Sequence, residues 1–294
     1  MSLLTPERVP VKVYRWDDAD APALDETPNC MATIFKACLV TGYGTKEGAG
    51  WTMPFEDTTA GVKVLRPEVG PHTDFYLRLS ADTGREMAAQ VYLNMTDANT
   101  GDLKLEGSRP FAYAKASVSN KWILIATPRG MFFSCEQSVN GGLDKKGAYF
   151  YVGDSKPGPQ AFRSVAIQHT GGTSSDFSDI LGNRSSRLYK DKAGYVYGKA
   201  MRGQSLVVDT ISFSSLFDGD TVLTNHEYSS PVFFIANKDI SILPGLAIPS
   251  CGAKDPNYTT KLIETDGFVT NAIVVGTGAY TDMNMYVSAD FWSY

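Results

Sequence analysis

The segment with the most chemical promise is Gly42-Tyr43-Gly44-Thr45-Lys46-Glu47-Gly48-Ala49-Gly50-Trp51-Thr52, because glycine-rich backbone can point several N–H groups at a phosphate. Its spacing argues against that use. It lacks the G-x-x-x-x-G-K-[ST] order, matches no G-x-G-x-x-G, and follows a helical pattern instead of leading into one. Gly42, Tyr43, Gly44, Gly50, Trp51 and Thr52 are therefore read as a structural motif, a turn that carries the chain out of a helix and into a strand at Trp51. Asp97-Ala98-Asn99-Thr100-Gly101-Asp102 resembles the first half of a calcium loop, in which short oxygen-bearing side chains surround the ion. The glycine falls one place early, however, and Ser108 stands where the bidentate glutamate belongs, so an Asx-rich turn between strands is expected. Asp218-Gly219-Asp220 is read the same way.

The three histidines, His72, His169 and His226, lie far apart with no second histidine at metal-ligand spacing. There is no G-x-S-x-G elbow, and no Ser or Cys is paired in sequence with a histidine. Triads and carboxylate pairs assemble from distant positions, which leaves that class of chemistry open. Cys30, Cys38, Cys135 and Cys251 form no C-x-x-C pair, which fits a reducing compartment. On one helix, Cys30 and Cys38 would stand about 12 Å apart along the axis, beyond disulfide reach. Asn94, Asn183 and Asn257 open N-x-S/T triplets, which without a signal segment are chance matches. The expectation is a protein without catalytic residues, cofactor or metal, and so not an enzyme.

The elements that would position these residues are mostly strands. Met31, Ile34, Phe35, Cys38 and Leu39 fall at i, i+3, i+4, i+7 and i+8, which predicts one amphipathic helix over residues 28–40. Thr27 would cap it, Pro28 would open it, and Gly42 in the left-handed conformation would close it. A second short helix is expected after Thr173 or Ser174, with Phe177, Ile180 and Leu181 on one face and Gly182 as its stop. Strand-forming runs recur at Val9-Arg15, Asp74-Ser80, Ala88-Asn94, Lys121-Thr127, Gly130-Cys135, Ala148-Gly153 and Phe162-Gln168. They continue at Tyr195-Tyr197, Leu206-Phe213, Pro231-Ala236, Ala272-Gly276 and Asn284-Trp292. In the last of these Met285, Val287, Ala289 and Phe291 alternate with Tyr286, Ser288, Asp290 and Trp292, as in a strand with one buried face.

Strands that do not alternate regularly with helices predict a mainly β protein with a short N-terminal α-helix, its antiparallel sheets packed as a sandwich-like α+β body. Turn chemistry at Gly141-Gly142, Gly171-Gly172 and Pro244-Gly245 separates the runs. Residues 1–294 are read as a single β-rich unit, with Pro157-Gly158-Pro159 marking the place, near 155–160, where two lobes would divide. No fixed-period repeat or heptad pattern supports a solenoid or a coiled-coil shaft.

Charge narrows the partners. Twenty-seven basic residues against 32 acidic ones leave a net charge of −5, so nucleic acid is not expected as a partner. Lys145-Lys146 is a short basic run of the solvated-loop kind. No apolar run approaches the roughly 20 residues that cross a bilayer, and membrane insertion is not expected. The 15 Tyr, 15 Phe and 4 Trp could line a glycan groove or a protein interface, but most sit inside strand runs, where packing accounts for them.

The run Ala37-Cys38-Leu39-Val40-Thr41-Gly42-Tyr43-Gly44-Thr45-Lys46, closing with Ala49-Gly50-Trp51-Thr52-Met53-Pro54-Phe55, resembles the N-terminal signature of a family of tailed-bacteriophage and prophage proteins. Further segments are similar in the same order: Asp74-Phe75-Tyr76-Leu77-Arg78-Leu79, Met95-Thr96-Asp97-Ala98-Asn99-Thr100-Gly101, Trp122-Ile123-Leu124-Ile125 with Arg129-Gly130, and Phe150-Tyr151-Val152-Gly153-Asp154. Leu243-Pro244-Gly245-Leu246 and Phe291-Trp292 follow. Residues 170–230 have no counterpart. The resemblance implies a tail-associated virion structural protein, assembled in the bacterial host cytoplasm, homo-oligomeric and in contact with other virion proteins. It brings no catalytic residues. Two other readings stand beside it. One is a carbohydrate- or receptor-binding module of a tail tip that takes a cell-surface glycan; the other is a polysaccharide or cell-wall hydrolase with two carboxylates in a cleft.

Overall fold

The computed structural model describes residues 7–70, 74–106, 111–112, 120–137, 146–157, 164–169, 187–190, 197–199, 228–229, 232–234, 240–249, 255–265, 268–276 and 284–294. The predicted second helix, the Leu206-Phe213 strand, both glycine pairs at 141–142 and 171–172, His72, His226, Cys251 and Asp218-Gly219-Asp220 lie outside them. So does most of the Pro157-Gly158-Pro159 boundary.

In chain order the strands are β1 (Arg8–Pro10), β2 (Lys12–Arg15), β3 (Thr52–Asp57), β4 (Val62–Arg66), β5 (Tyr76–Ser80), β6 (Glu86–Met95), β7 (Gly101–Glu106) and β8 (Phe111–Ala112). There follow β9 (Trp122–Thr127), β10 (Gly130–Gln137), β11 (Lys146–Pro157), β12 (Ser164–His169), β13 (Arg187–Lys190), β14 (Tyr197–Lys199), β15 (Tyr228–Ser229) and β16 (Val232–Phe234). The last are β17 (Ile240–Ile242), β18 (Leu246–Pro249), β19 (Thr260–Thr265), β20 (Phe268–Gly276), β21 (Asn284–Ser288) and β22 (Phe291–Ser293). One short helix, α1 (Cys30–Lys36), stands between β2 and β3. The expectation of mainly antiparallel β structure with one short helix holds.

A six-stranded sheet runs β3-β4-β5-β6-β7 with β8 on β6. A nine-stranded sheet runs β14-β13-β12-β11-β10-β9-β2, extended by β17 on β11 and β16 on β17. The strands β15-β18-β21-β20-β19 close into a barrel, whose β15–β19 contact is parallel. β1 and β22 form a separate antiparallel ribbon.

The five apolar helix positions predicted to share a face are buried: Met31, Ile34 and Phe35 on α1, and Cys38 and Leu39 just beyond it. They join Leu77, Leu79, Val91 and Leu93 of the six-stranded sheet and Trp122, Leu124, Phe133 and Phe150 of the nine-stranded sheet in one core. Phe35 sets its ring 5.2 Å from Phe133 and 5.7 Å from Phe150. Full burial of side chains of this size contributes roughly 1.5–3 kcal/mol each. The opposite face of β9, β10 and β11, with Ile123, Ile125, Phe132 and Tyr151, packs on Ile273, Val275, Met285, Val287 and Trp292. With both faces covered, Trp122-Ile123-Leu124-Ile125-Ala126 is an unbroken apolar run without alternation.

Three local expectations are corrected. The helix begins at Cys30, not at residue 28, and Thr27 does not cap it: Asn29 holds the cap position at φ 69° without a side-chain hydrogen bond. The reason is a carboxylate 50 residues away. Asp82 Oδ2 accepts the Ala32 N–H at 2.8 Å, and the Asp82 carbonyl accepts the Asn29 N–H at 3.1 Å. Thr27 is engaged instead by Asp25, whose Oδ1 accepts both its N–H and its hydroxyl. At the other end the helix widens into a π-helical turn, Ala37–Thr41, closed by the Gly42 N–H donating to the Ala37 carbonyl at 2.7 Å. Gly42 then sits at φ 76°, ψ 176°, a conformation open to glycine and distinct from the left-handed helical one expected.

The third correction concerns the final run, which is two strands broken at Ala289-Asp290. Asp290 Oδ2 takes the Asn271 N–H at 2.7 Å and the Ser288 N–H donates to the Gly245 carbonyl. Met285, Tyr286, Val287 and Ser288 are all buried, and Trp292, assigned by alternation to the wetter face, is enclosed.

Candidate functional site

The glycine motif folds as a compact loop against two elements. Its backbone N–H groups are largely directed inward: Tyr43 and Lys46 exchange N–H···O bonds at 2.9 and 2.8 Å, Ala49 N–H donates to the Cys38 carbonyl and Trp51 N–H to the Leu39 carbonyl. Both carbonyls belong to the last turn of the helical segment, where no intrahelical N–H remains for them. Glycine is required by close approach. A Cβ at Gly42 would lie 2.2 Å from the Lys46 carbonyl oxygen, and one at Gly48 would lie 2.4 Å from that of Val40. Gly44 and Gly50 take positive φ, 53° and 92°. Trp51 is buried and donates its indole N–H to the Thr127 carbonyl at 2.9 Å, and Thr52 begins β3. The motif thus runs from the π-helical turn that follows α1 to the start of β3.

It also does something the spacing did not foretell. The loop lies along β2, and every polar contact between them passes through a side chain. Lys46 Nζ donates to the Val13 carbonyl at 2.9 Å and to Asp18 Oδ2 at 2.6 Å. Tyr43 OH donates to the same Asp18 oxygen at 2.7 Å, which also accepts the Arg15 N–H at 2.7 Å. Tyr14 OH donates to the Glu47 carbonyl, and Lys12 Nζ to the Gly48 carbonyl. Burial opposes ionisation of Asp18, but the hydrogen bonds from Lys46, Tyr43 and the Arg15 N–H, together with the charge of Lys46, outweigh it and hold the carboxyl below its ordinary range. Burial, reinforced by Asp18, pushes the Tyr43 phenol up, so it remains a neutral donor. Burial first, then the Asp18 charge, pushes the neighbouring Cys38 thiol well up, which keeps it protonated and unreactive.

No family model, curated protein or solved structure matches the chain.

The calcium-like segment is an Asx turn between β6 and β7. Asp97 Oδ1 accepts the Asn99 and Thr100 N–H groups at 2.7 and 2.8 Å, which lowers its titration range. Asn99 is held between Arg78 Nη2 and Asp57 Oδ2, and Arg78 Nε donates to the Ala98 carbonyl. The loop thus lies down on Val62, Val64 and Tyr92. Cys30, Cys38 and Cys135 are buried. His169 ends β12. Among the described residues no group of three or more His, Cys, Asp or Glu side chains is placed to hold a metal ion.

A second cluster was not assembled by sequence reasoning. Arg129 Nε and Nη2 both donate to Asp154 Oδ2, at 3.1 and 2.9 Å, and Nη1 donates to Glu7 Oε2 at 2.9 Å. The guanidinium lies 3.9 Å from the centre of the Tyr294 ring, whose hydroxyl hydrogen-bonds Thr127 Oγ1 at 2.8 Å. Four segments far apart in sequence meet at one cation. Arg129-Gly130 and Asp154 both stand in segments that carry the resemblance, but nothing in the sequence joins them to each other or to Glu7 and Tyr294. Gly130 and Gly153 oppose each other across β10 and β11, where a Cβ on Gly153 would come within 2.5 Å of Gly130 Cα.

Proposed function

We propose that this protein is a structural component of a tailed-phage or prophage particle, associated with the tail, working through contacts with its own copies and other virion proteins and without catalysis. Its sheets are read as a sandwich-like α+β body assembled in the host cytoplasm. The reading rests on the sequence resemblance, and one structural observation supports it: the segments that carry the resemblance are used for packing and closure. Ala37–Thr52 closes the helix onto β2, Trp122–Ile125 and Phe150–Asp154 supply both cores, and Gly245 abuts Trp292 so tightly that a Cβ would lie 2.1 Å from the indole. Segments that pack into a rigid body are what a scaffold needs, since loops carry specific contacts only when the body beneath them is fixed.

The test is mass spectrometry of gradient-purified particles from an induced host. Peptides of this chain at a fixed ratio to a known tail protein, across independent gradients, are expected. Their absence from particles while they are abundant in the cleared lysate overturns the reading.

A further inference from the structure

β2 is the terminal strand of the nine-stranded sheet, and one of its two edges meets no strand among the described residues. The Trp16 N–H donates to the Trp122 carbonyl, toward β9, and β2 alternates from there. Val13 and Arg15 consequently turn their N–H and C=O groups to the outer edge. Such an edge is a template for another strand. Here it is stopped by side chains. The Lys46 ammonium stands on the Val13 carbonyl, where a neighbouring strand would place an N–H, and the Asp18 carboxylate stands on the Arg15 N–H, where that strand would place a carbonyl. The two groups hold each other at 2.6 Å. On either side the edge is ended by backbone: the Val11 N–H donates to the Asp290 carbonyl, and the Asp18 N–H turns back to the Arg15 carbonyl.

We infer that Asp18 and Lys46 form an edge guard, an ion pair that imitates the hydrogen-bonding groups of a strand and closes β2 to strand addition, and that the strand it excludes is β2 of a second copy. Antiparallel pairing of two identical edges would extend the sheet about a two-fold axis and satisfy both copies at once. Val13 and Tyr14 at the centre of β2 favour such pairing. The glycine motif has a purpose in this arrangement: its tight turn brings Lys46, 28 residues beyond Asp18, to the rim of the sheet. The inference concerns this edge alone and does not rest on a role in a particle.

The test compares the full chain with two variants. Lys46→Met keeps the aliphatic stem and removes the donor. The exchanged pair Asp18→Lys/Lys46→Asp keeps opposite charges but aims a carboxylate at a carbonyl and an ammonium at an N–H, so an ion pair with a merely stabilising role would survive it. A fluorescent peptide spanning residues 11–17 reports on the open edge. Both variants are expected to bind it at least tenfold more tightly than the parent chain. Their mass by light scattering should rise with concentration to twice the value the parent holds over the same range, and deuterium uptake at residues 12–15 should fall as they associate. Unchanged mass and unchanged peptide affinity in folded Lys46→Met overturn the inference, whether or not the exchanged pair folds.

Discussion

Asp18 shows how much one side chain can carry. Its Oδ2 accepts from Arg15, Tyr43 and Lys46, and those bonds exist in full only while the carboxyl is ionised. The folded group titrates lower than the unfolded one, so its contribution to stability is complete above the ordinary aspartate range and is lost as pH falls through the lowered folded value. Melting temperatures between pH 7 and pH 3 should fall less steeply in Asp18→Asn than in the parent; parallel curves would remove this residue from the acid response. A different residue-scale strain sits at Ala81, exposed and held at φ 51°. Ala81→Gly removes a left-handed penalty of about 1–2 kcal/mol and adds unfolded-chain entropy, for a net gain of roughly 0.5–1 kcal/mol by urea denaturation. None of this was legible beforehand. The sequence marked Gly42, Gly44 and Gly50 as a turn, but Asp18 and Lys46 carry no mutual spacing that a linear reading could recognise.

Among the elements, α1 was the most legible, because apolar residues at i, i+3, i+4, i+7 and i+8 share one face only when the backbone is helical. Its start was not, since the local rule placed the cap at Thr27 while a long-range carboxylate took the task. Asp82→Ala would leave the buried Ala32 N–H without its acceptor and is expected to cost about 1–3 kcal/mol by chemical denaturation. A loss no greater than that of Thr27→Ala would show that the helix does not depend on Asp82. Strands with apolar runs, such as β9 and β10, were visible because burial on both faces leaves them few polar residues. β4, β7, β8, β13, β15, β17, β18 and β19 were missed, and β3 was anticipated only as a strand entered at Trp51. Thr52–Asp57 carries Pro54, Glu56 and Asp57 because it is an edge strand, and an edge suppresses the pattern by which strands are recognised. The final run misled because its strict alternation promised one strand, whereas a bend at Ala289-Asp290 and burial on both faces govern it.

The whole molecule is held together by residues that join distant parts of the chain. Arg129 links the segments of Glu7, Asp154 and Tyr294. Arg129→Met would remove two guanidinium donors from the buried Asp154 carboxylate and is expected to cost about 3–5 kcal/mol. Hydrogen exchange should show protection falling together in β1 and β22; loosening of one without the other would show that the cation does not couple them. That ribbon has a consequence for how the chain is made. Arg8 pairs with Ser293, and at about 5–20 residues per second a ribosome takes roughly 15–60 s to deliver the later partner after the earlier one. For all that time the first strand has no mate, and for the earlier part of it the neighbouring β2 waits for β9. The carboxylate and lysine that shield the outer edge of β2 are both synthesised before β9, early enough to chaperone that nascent edge on a polysome crowded with identical chains.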